Sequence, residues 1–196
     1  MIKKELIRKS AIKIIARDGF YNANVKSIAE EAGIAVGTVY LYFKNKEDIL
    51  DYIFCIENQK RADFINGFYL KGETLEEVLE HFLDYHFDCF KNDLDTVKVL
   101  YMELVTVNSI KEQQAKFYMN HVYEAFVNIL NREKLKGGIN AELDVEVLAT
   151  SILYFLRIYS YNILLMDNTV NYESLKSNLR AFLLHGMRDK VLYKNE

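Results

Sequence analysis

Proline is absent from the 196 residues of this chain, and its eight glycines are scattered rather than clustered. Both residue types interrupt regular structure, so their scarcity argues against a fold with many turn-rich loops and favours long helices. Disorder is excluded as well, because 51% of the residues are apolar and such a chain can bury a core. The length suits one large core, or a small domain followed by a larger one.

Cysteine and long apolar runs are scarce too. The two cysteines, Cys55 and Cys89, lie far apart in the sequence, so we expect a reduced, cytoplasmic compartment. No uninterrupted apolar run reaches about 18 residues, the length that crosses a bilayer, so no membrane partner is expected. The N-terminus lacks a small-residue cleavage site and becomes amphipathic, which argues against a signal peptide.

The formal net charge of −3 argues by itself against binding to nucleic acid, but the charge is unevenly distributed. Residues 1–50 contain nine Lys and Arg against six Asp and Glu, a net charge of +3. Residues 51–196 contain sixteen against twenty-two, a net charge of −6. A basic N-terminal part on an acidic body is typical of a protein that contacts DNA at one end only.

The spacing of apolar residues predicts an all-α fold of about nine helices with no strand. The predicted helices cover residues 2–18, 25–32, 36–43, 46–66, 75–91, a short stretch after Asp93, 110–136, 145–166 and 172–190. The predicted N-caps are Asn24, Asn45, Asp93, Asp144 and Asn171, with capping boxes at Thr74–Glu77 and Ser109–Glu112. Residues 67–75 are expected to form a loop. In the first helix, Leu6 and Ile7 are predicted to face inward and Arg8 outward.

Residues 24–46 are predicted to form two short helices joined by a tight turn. Asn24 caps the first helix and Gly33 ends it, because glycine tolerates the positive φ that the reversal needs. Helices this short are not stable alone, and the helix upstream supplies a third. Two helices that cross at a glycine turn form a helix-turn-helix, whose second helix fits the major groove of DNA.

The run IAEEAGIAVGTVYLYFKNKEDIL resembles the DNA-binding motif of the TetR family of bacterial one-component regulators, with a match from Ile7 to Leu50. The shorter run GTVYLYFKNKEDIL also resembles the fatty-acid-responsive members of that family. Ala35 departs from the pattern, because the family usually has Ser or Thr there to cap the second helix and contact a phosphate. Past Ile56 the resemblance is architectural only.

Seven residues are candidates for contacts with DNA: Asn24, Val36, Gly37, Thr38, Tyr40, Tyr42 and Lys46. Thr38 offers a hydroxyl to a base edge or phosphate, Val36 an apolar contact to a thymine methyl, and Gly37 a close approach of the backbone. The resemblance implies phosphate contacts for four of them, namely Asn24, Tyr40, Tyr42 and Lys46. Apart from that resemblance, half-buried packing would be the simpler interpretation of the tyrosines.

These patterns predict two domains, a helix-turn-helix domain at residues 1–46 and a ligand-binding and dimerisation domain at residues 47–196. The helix that begins at Lys46 carries apolar residues facing two ways, as a linker helix between two domains requires.

Phenylalanine, tyrosine and leucine recur at helical spacing in the second domain, which suits an aromatic-lined cavity for an apolar molecule. The predicted lining is Phe82, Phe90, Leu100, Leu104, Phe117 and Phe155, and the alternative for each is an ordinary core position. Arg157 lies in the most apolar helix, where an unpaired guanidinium is costly. It is interpreted either as an anion clamp for the ligand or as a structural residue, paired internally with a residue such as Glu103 or placed at a dimer seam.

Four residues on one side of a helix have side chains that suit a divalent metal: Glu77, His81, Asp84 and Asp88. An ordinary solvated face is the favoured interpretation, because charged groups line the wet side of an amphipathic helix. We therefore expect neither a metal nor a cofactor.

The last two long helices are predicted to form a homodimer, because a helix that is apolar nearly all round must be covered on more than one side. Pairing two copies gives a four-helix bundle. The predicted interface residues are Leu148, Ile152, Leu175, Leu179, Phe182 and Leu183.

The sequence is compatible with three functions. The favoured one is a ligand-responsive repressor that binds a palindromic operator as a dimer and is released by a small apolar effector, with a fatty acyl-CoA as the best guess. The alternative is a DNA-binding protein whose C-terminal body docks a protein partner and binds no small molecule. An enzyme is poorly supported, because the sequence has no nucleophile elbow, phosphate loop or zinc spacing.

Overall fold

The computed structural model describes residues 2–106, 112–166 and 170–188, without the side chains of residues 2, 102–106 and 112–119. The described residues form nine α-helices and no strand, which confirms the predicted fold class. In chain order the helices are α1 (Ile2–Asp18), α2 (Val25–Glu31), α3 (Val36–Tyr40), α4 (Lys46–Lys71), α5 (Leu75–Asn92), α6 (Leu94–Thr106), α7 (Glu112–Leu135), α8 (Val145–Leu165) and α9 (Tyr172–Met187).

The predicted loop at residues 67–75 is wrong over most of its length, because α4 continues through Gly67 to Lys71. Packing outweighs the low helix propensity of glycine here, since the Phe68 ring stacks on the His81 ring with centroids 4.5 Å apart. The helix ends only at Gly72, whose φ of +78° is the left-handed conformation that glycine favours. The connection to α5 is therefore a short one.

The predicted caps that fall within the described residues are in place. Asp144 and Asn171 accept backbone N–H groups at the starts of α8 and α9, and Asn45 accepts the N–H of Asp48 at 2.8 Å. Thr74 and Glu77 form the predicted capping box of α5. The N-cap at Asp93 is also present, at 3.4 Å from the N–H of Thr96. Ser109, predicted to cap the long helix after α6, lies outside the described residues.

Packing divides the chain into two compact units. Unit 1 comprises Met1–Arg61 and Asp88–His121, and unit 2 comprises Ala62–Phe87 and Val122–Glu196. The helices α4, α5 and α7 each contribute residues to both units. The units reflect packing rather than function, so the predicted functional boundary after residue 46 stays a prediction.

The core of unit 1 joins α1–α3 to the first part of α4 and to α6. Its buried side chains are Ile7, Ala11, Ile12, Ile14, Ile15, Phe20, Ala23, Ile28, Ala29, Val39, Phe43, Ile49, Leu50, Ile53, Phe54, Val99 and Leu100. The short helices α2 and α3 are thus stabilised by burial against longer neighbours rather than by their own hydrogen bonds.

In unit 2, α8 is the most apolar element. Among the described helices it alone is long and apolar enough to cross a membrane, a criterion that core helices of soluble proteins also meet. Its buried residues are Val145, Ala149, Ile152, Leu153, Leu156, Ser160 and Ile163. The helix also contains Glu146 and Arg157, so its apolar sequence is interrupted by charge.

Candidate nucleic-acid interface

The helix α2 begins at a reciprocal cap. The Asn24 Oδ1 atom accepts the backbone N–H of Ser27 at 2.9 Å, and the Ser27 Oγ atom donates to the Asn24 carbonyl at 2.8 Å. A cap of this kind contributes about 1 kcal/mol to helix stability. Asn24 is exposed, and because the cap uses only its side-chain oxygen, the amide nitrogen, which is the atom able to donate to a phosphate, is not used by that cap.

Gly33 makes the turn between α2 and α3. Its φ of +64° is the left-handed conformation predicted from the sequence, and the N–H of Ile34 returns to the Ala29 carbonyl at 3.0 Å. This hydrogen bond closes the end of α2 in the manner of a glycine-terminated helix. The chain therefore changes direction between α2 and α3 at a residue that has no side chain.

The second helix of the motif is short and has no side-chain cap. Ala35 occupies the N-cap of α3 and makes no side-chain hydrogen bond, as expected from its methyl group. The helix ends at Tyr40, earlier than the predicted end at Phe43, because the chain turns and buries Phe43 in the unit 1 core. Val39 is fully buried and anchors α3 to the same core.

The opposite side of α3 faces outward. Tyr40 is 55% exposed, Leu41 81% and Tyr42 39%, which are unusual values for large apolar or aromatic side chains. Val36 and Gly37 are exposed as well, whereas Thr38 is half-buried. A Cβ atom added to Gly37 would meet nothing within 4 Å, so no contact inside the protein requires glycine there. The structure therefore brings five predicted DNA-contacting residues, Val36, Gly37, Thr38, Tyr40 and Tyr42, onto one short segment.

Lys46 is engaged inside the protein. Its Nζ atom donates to the carbonyls of Phe20 at 2.8 Å, Tyr21 at 3.1 Å and Ala23 at 3.0 Å. The ammonium also lies 4.6 Å from the centre of the Phe20 ring. All three ammonium hydrogens have acceptors within the chain, so this lysine holds the α1–α2 connection against the start of α4. Its predicted phosphate contact stays a prediction.

One outward assignment in α1 was wrong. Arg8 was predicted to face solvent, but it is only 4% exposed, whereas Leu6, predicted to face inward, is 40% exposed. The Arg8 Nη1 atom donates to Glu57 of α4 at 2.6 Å. Sequence periodicity could not reveal this, because the partner that makes burial tolerable lies 49 residues away.

Among the basic residues near α3, Lys4 is held by aromatic rings. Its ammonium lies 4.1 Å from the centre of the Tyr52 ring and 5.3 Å from that of Phe43. The remaining described lysines of residues 3–44 are exposed: Lys3, Lys9, Lys13, Lys26 and Lys44. They form the basic surface that the charge distribution predicted.

The described residues of the predicted ligand lining are divided between the two units. Phe82 is buried in unit 2 against the Phe126 ring, with centroids 5.0 Å apart. Phe90 is buried but belongs to unit 1, and Leu100 lies in the unit 1 core. The side chains of Leu104 and Phe117, and of the suggested partner Glu103, lie outside the described residues.

Phe155 and Arg157 both lie on α8 of unit 2. Phe155 is 40% exposed and meets the exposed ring of Phe182 edge to face at 5.4 Å, so it lies on an outer surface of unit 2. Periodicity alone could not show this, because α8 is apolar on several sides and the choice of inner face depends on tertiary packing. Arg157 is half-buried.

Unit 2 also contains a buried polar pair that the sequence did not reveal. His86 of α5 and Ser160 of α8 are 3% and 0% exposed, and their Nε2 and Oγ atoms lie 2.8 Å apart. The Ser160 hydroxyl donates its hydrogen to the Leu156 carbonyl, so it accepts from His86, which fixes the proton on Nε2. The pair joins two helices that apolar packing alone would hold less specifically.

The predicted dimer interface needs correction. Ile152, Leu179 and Leu183 are at most 6% exposed, because they pack in the core of unit 2 and cannot face a second copy. Leu148 and Leu175 are half-buried, and Phe182 is 59% exposed. Besides Phe182, a set of large apolar residues that was not predicted faces outward on α8: Val147, Tyr154, Phe155, Ile158, Tyr159 and Leu165.

The polar side of α5 forms ion pairs and a cap. Asp84 accepts from Lys176 of α9 at 2.5 Å, and Glu77 accepts the N–H and hydroxyl of Thr74. These hydrogen bonds hold the pKa of Glu77 below its usual value. His81 stacks on Phe68. Within the described residues no group of His, Cys, Asp or Glu has the arrangement of a metal site.

A cap at Asn24, a glycine turn and an outward-facing α3 define a DNA-binding protein of the helix-turn-helix class. The family model described as "Bacterial regulatory proteins, tetR family" matches residues 7–53, which include α2, α3 and the start of α4.

Similarity to known proteins extends beyond that segment. The fatty acid metabolism regulator protein of Bacillus subtilis (strain 168) is 29% identical over 188 residues, which cover 92% of this chain and 93% of that protein. Among solved structures, the fatty acid degradation regulator FadR from Bacillus halodurans has a TM-score of 0.86 and 28% identity, covering 96% of this chain and 97% of that one. FadR from B. subtilis, solved in complex with stearoyl-CoA, has a TM-score of 0.85 and 26% identity, covering 94% and 99%.

Residues 7–53 therefore match the DNA-binding segment of the TetR family, and over more than nine-tenths of its length the chain is similar to bacterial transcriptional regulators. The named relatives are regulators rather than enzymes.

Proposed function

We propose that this chain is a dimeric transcriptional repressor that binds a palindromic operator in the bacterial cytoplasm and is released by a long-chain fatty acyl-CoA. The observation that carries DNA binding is the outward surface at the end of α3, where Tyr40 and, just past the helix, Leu41 and Tyr42 are exposed instead of packed. Exposing aromatic and apolar side chains to water is unfavourable. Base edges and phosphates of DNA can make hydrogen bonds and apolar contacts with these side chains.

The proposed dimer uses the exposed apolar residues of α8 and α9. On α8 these residues recur at helical spacing, and on α9 Phe182 extends the surface through its contact with Phe155. A continuous apolar surface on a monomer is typically covered by a partner. Pairing two copies through these helices gives a four-helix bundle, and its two-fold symmetry places two α3 helices against the two halves of a palindrome.

The proposed effector rests on the relatives and on the composition of the interior. A solved B. subtilis relative with 26% identity was crystallised with stearoyl-CoA, and a B. subtilis relative is named as a fatty acid metabolism regulator. Unit 2 buries the large aromatic side chains Phe82, Phe87 and Phe126, which suit an acyl chain better than a polar ligand. The predicted role of Arg157 as an anion clamp for the coenzyme end is part of this proposal.

The effector releases DNA only if it binds one state of the protein better than the other. We therefore expect an acyl-CoA to bind the DNA-free protein more tightly than the operator complex. By thermodynamic linkage, the ratio equals the factor by which the acyl-CoA weakens operator binding.

Calorimetry with acyl-CoAs of graded length tests the effector. Each two-carbon extension should contribute up to about 1.6 kcal/mol until the site is full, because a buried methylene contributes about 0.8 kcal/mol. Free coenzyme A and a free fatty acid are the controls that separate the two ends of the ligand. An affinity indifferent to chain length would contradict the proposal.

Sedimentation with surface variants tests the dimer. Phe155→Asp and Phe182→Asp should each shift the protein toward monomer, since a carboxylate would be buried in an apolar interface. Leu135→Asp is the matched control, because Leu135 is 90% exposed but lies on α7. A wild-type monomer at micromolar concentration would contradict the proposal. The exposed apolar surface would then favour the alternative, a body that docks a different protein.

A further inference from the structure

Three charged side chains in unit 1 are almost completely buried. Arg8 of α1 is 4% exposed, and Glu57 and Arg61 of α4 are each 5% exposed. The Glu57 carboxylate accepts from Arg8 at 2.6 Å and from Lys60 at 2.7 Å, and lies 3.8 Å from the Arg61 guanidinium. Arg61 also donates to the backbone carbonyl of Glu57 at 2.9 Å. One carboxylate thus faces three cations.

Arg8 is bound on both sides. Its Nε and Nη2 atoms donate to the two carboxylate oxygens of Glu5 at 2.8 and 2.6 Å, while Nη1 is used by Glu57. The Arg8 hydrogen bonds lower the pKa of Glu5, and the Glu5 hydrogen bonds raise the pKa of Arg8. Both groups therefore stay charged at neutral pH. The fork geometry of a guanidinium allows this double engagement in one orientation only.

Stability alone does not explain why charged side chains are buried at this position. They belong to a unit whose core contains Ile7, Ala11 and Phe54, all fully buried. Well-packed apolar residues of similar volume are commonly as stable as a buried ion pair, or more stable. Apolar contacts, however, tolerate small rotations and translations of one helix along another. Hydrogen bonds to a fixed guanidinium do not, so the ions specify the register of α1 on α4.

The two helices joined in this way have different roles in the chain. The helix α1 lies wholly in unit 1 and packs against α2 of the helix-turn-helix. The helix α4 contributes residues up to Arg61 to unit 1 and the rest, from Ala62, to unit 2. Glu57 and Arg61 occupy the last turn of α4 before its residues join unit 2. A displacement of α4 that starts in unit 2 passes through this turn.

We propose that Glu57 is a positioning residue for operator binding: its contact with Arg8 fixes α1 on α4, so that movement of α4 is transmitted to the helix-turn-helix. The transmission part rests on the proposed release by an acyl-CoA. Without the contact, α1–α3 remain folded on their apolar core, but the position of α1 along α4 is no longer fixed. Movement of α4 is then not transmitted to α1–α3.

The test is the double variant Arg8→Met/Glu57→Leu in the full chain. It removes both partners together, leaves Glu5 at the surface, and keeps the backbone carbonyl that accepts from Arg61. The melting temperature should stay close to that of the wild type. Operator affinity, measured on a duplex selected from a random library, should fall. The factor by which stearoyl-CoA weakens operator binding, typically about 5- to 150-fold in allosteric proteins, should fall toward 1.

Two further variants separate a loss of positioning from a non-specific destabilisation of the fold. Arg8→Lys keeps the positive charge but cannot bind Glu5 and Glu57 at once in the geometry of a guanidinium. The factor by which stearoyl-CoA weakens operator binding should therefore lie between those of the wild type and the double variant. Glu31→Gln is the matched control, because it breaks another pair that involves α1, Lys13–Glu31 at 3.1 Å, which is exposed. Its response to stearoyl-CoA should equal that of the wild type.

The outcomes distinguish the positioning role of Glu57 from the proposed release by an acyl-CoA. If the wild type responds to stearoyl-CoA and the double variant responds equally, Glu57 has no positioning role and the inference is overturned. If stearoyl-CoA leaves the wild-type operator complex unchanged, the proposed effector is wrong and the transmission role is overturned with it. If the double variant unfolds, an Arg8→Lys variant with the full wild-type factor overturns the inference, and an intermediate factor supports it.

Discussion

The two units join their helices by charge in different ways. In unit 1, Arg8 and Glu57 link α1 to α4 with side chains that are about 5% exposed. In unit 2, Arg180 links α9 to Glu76 of α5 at 2.7 Å, but with side chains that are 33% and 43% exposed. Lys176 and Asp84 repeat the second pattern one turn away. The ion pair that joins α1 to α4 in unit 1 is therefore buried, unlike the exposed Lys13–Glu31 pair between α1 and α2, whereas the pairs that join α5 to α9 in unit 2 are half-solvated.

The difference has an energetic meaning. A half-solvated pair is screened by water and contributes at most about 1 kcal/mol, so it can form and break as helices adjust. A buried pair cannot lose one partner without leaving an uncompensated charge, so it holds a single geometry. The contact of α1 with α4 is therefore fixed in geometry, as the reading of DNA requires, and α5 and α9 are joined in a way that tolerates adjustment.

Glu57→Gln should give the largest effect. The neutral amide removes the carboxylate charge that faces Arg8, and Glu5 still compensates part of the Arg8 charge, so the free energy of unfolding should fall by about 3 kcal/mol. Urea denaturation at a fixed protein concentration measures it, because the stability of an oligomer depends on concentration. Since Arg8→Met/Glu57→Leu removes both charges, it should recover most of that loss. A loss below about 1 kcal/mol for Glu57→Gln would erase the contrast between the units.

Lys46→Met should give the next largest effect. The carbonyls of Phe20, Tyr21 and Ala23 lose their shared donor, and a hydrogen bond from a charged group contributes about 1.5–3 kcal/mol, so we expect a loss of about 2 kcal/mol. Lys44→Met, at an exposed neighbouring position, is the control. The salt dependence of operator binding tests the predicted phosphate contact of Lys46. If the contact exists, the slope of the logarithm of the binding constant against the logarithm of the salt concentration should be smaller in magnitude by about one for Lys46→Met. An unchanged slope would leave Lys46 a purely structural role.

Gly37→Ala should affect stability and binding in opposite directions. Alanine is favoured over glycine in a helix by up to about 1 kcal/mol, and the open space at Gly37 accepts the added methyl group. The free energy of unfolding should therefore rise slightly. Operator affinity should fall, because the methyl group would lie where the backbone is predicted to approach DNA. Unchanged operator affinity would place Gly37 outside the interface.

Arg180→Met should have the smallest effect. It breaks pairs with Glu76 and Glu80 that are partly exposed, so the loss of unfolding free energy should stay below about 1 kcal/mol. Operator affinity should match the wild type. The same urea titration as for Glu57→Gln measures it, and a loss as large as that of Glu57→Gln would show that burial does not separate the two sets of ions.

Local signals in the sequence were sufficient for the helix-turn-helix. Asn24 caps α2 through an atom three residues away, and Gly33 takes the left-handed φ that its own lack of a side chain allows. Both effects depend on near neighbours, so they can be predicted without knowledge of the fold. The helix order and most helix ends followed from the same kind of reasoning.

Long-range contacts account for what the sequence could not predict. Arg8 and Lys46 look like ordinary surface cations, and only the folded chain supplies Glu57 for one and three carbonyls for the other. The same limit applies to α8, which is apolar on several sides. Packing turned Ile152, a predicted interface residue, inward and Phe155, a predicted lining residue, outward.

Operator binding with and without an acyl-CoA tests the account most directly. Fluorescence anisotropy of a labelled duplex, selected by the protein from a random library, gives the operator affinity at 0.15 M salt, about physiological ionic strength. Saturating stearoyl-CoA should weaken that affinity by about 5- to 150-fold, and the operator should weaken stearoyl-CoA binding by the same factor. Equal operator affinity with and without stearoyl-CoA would contradict the account.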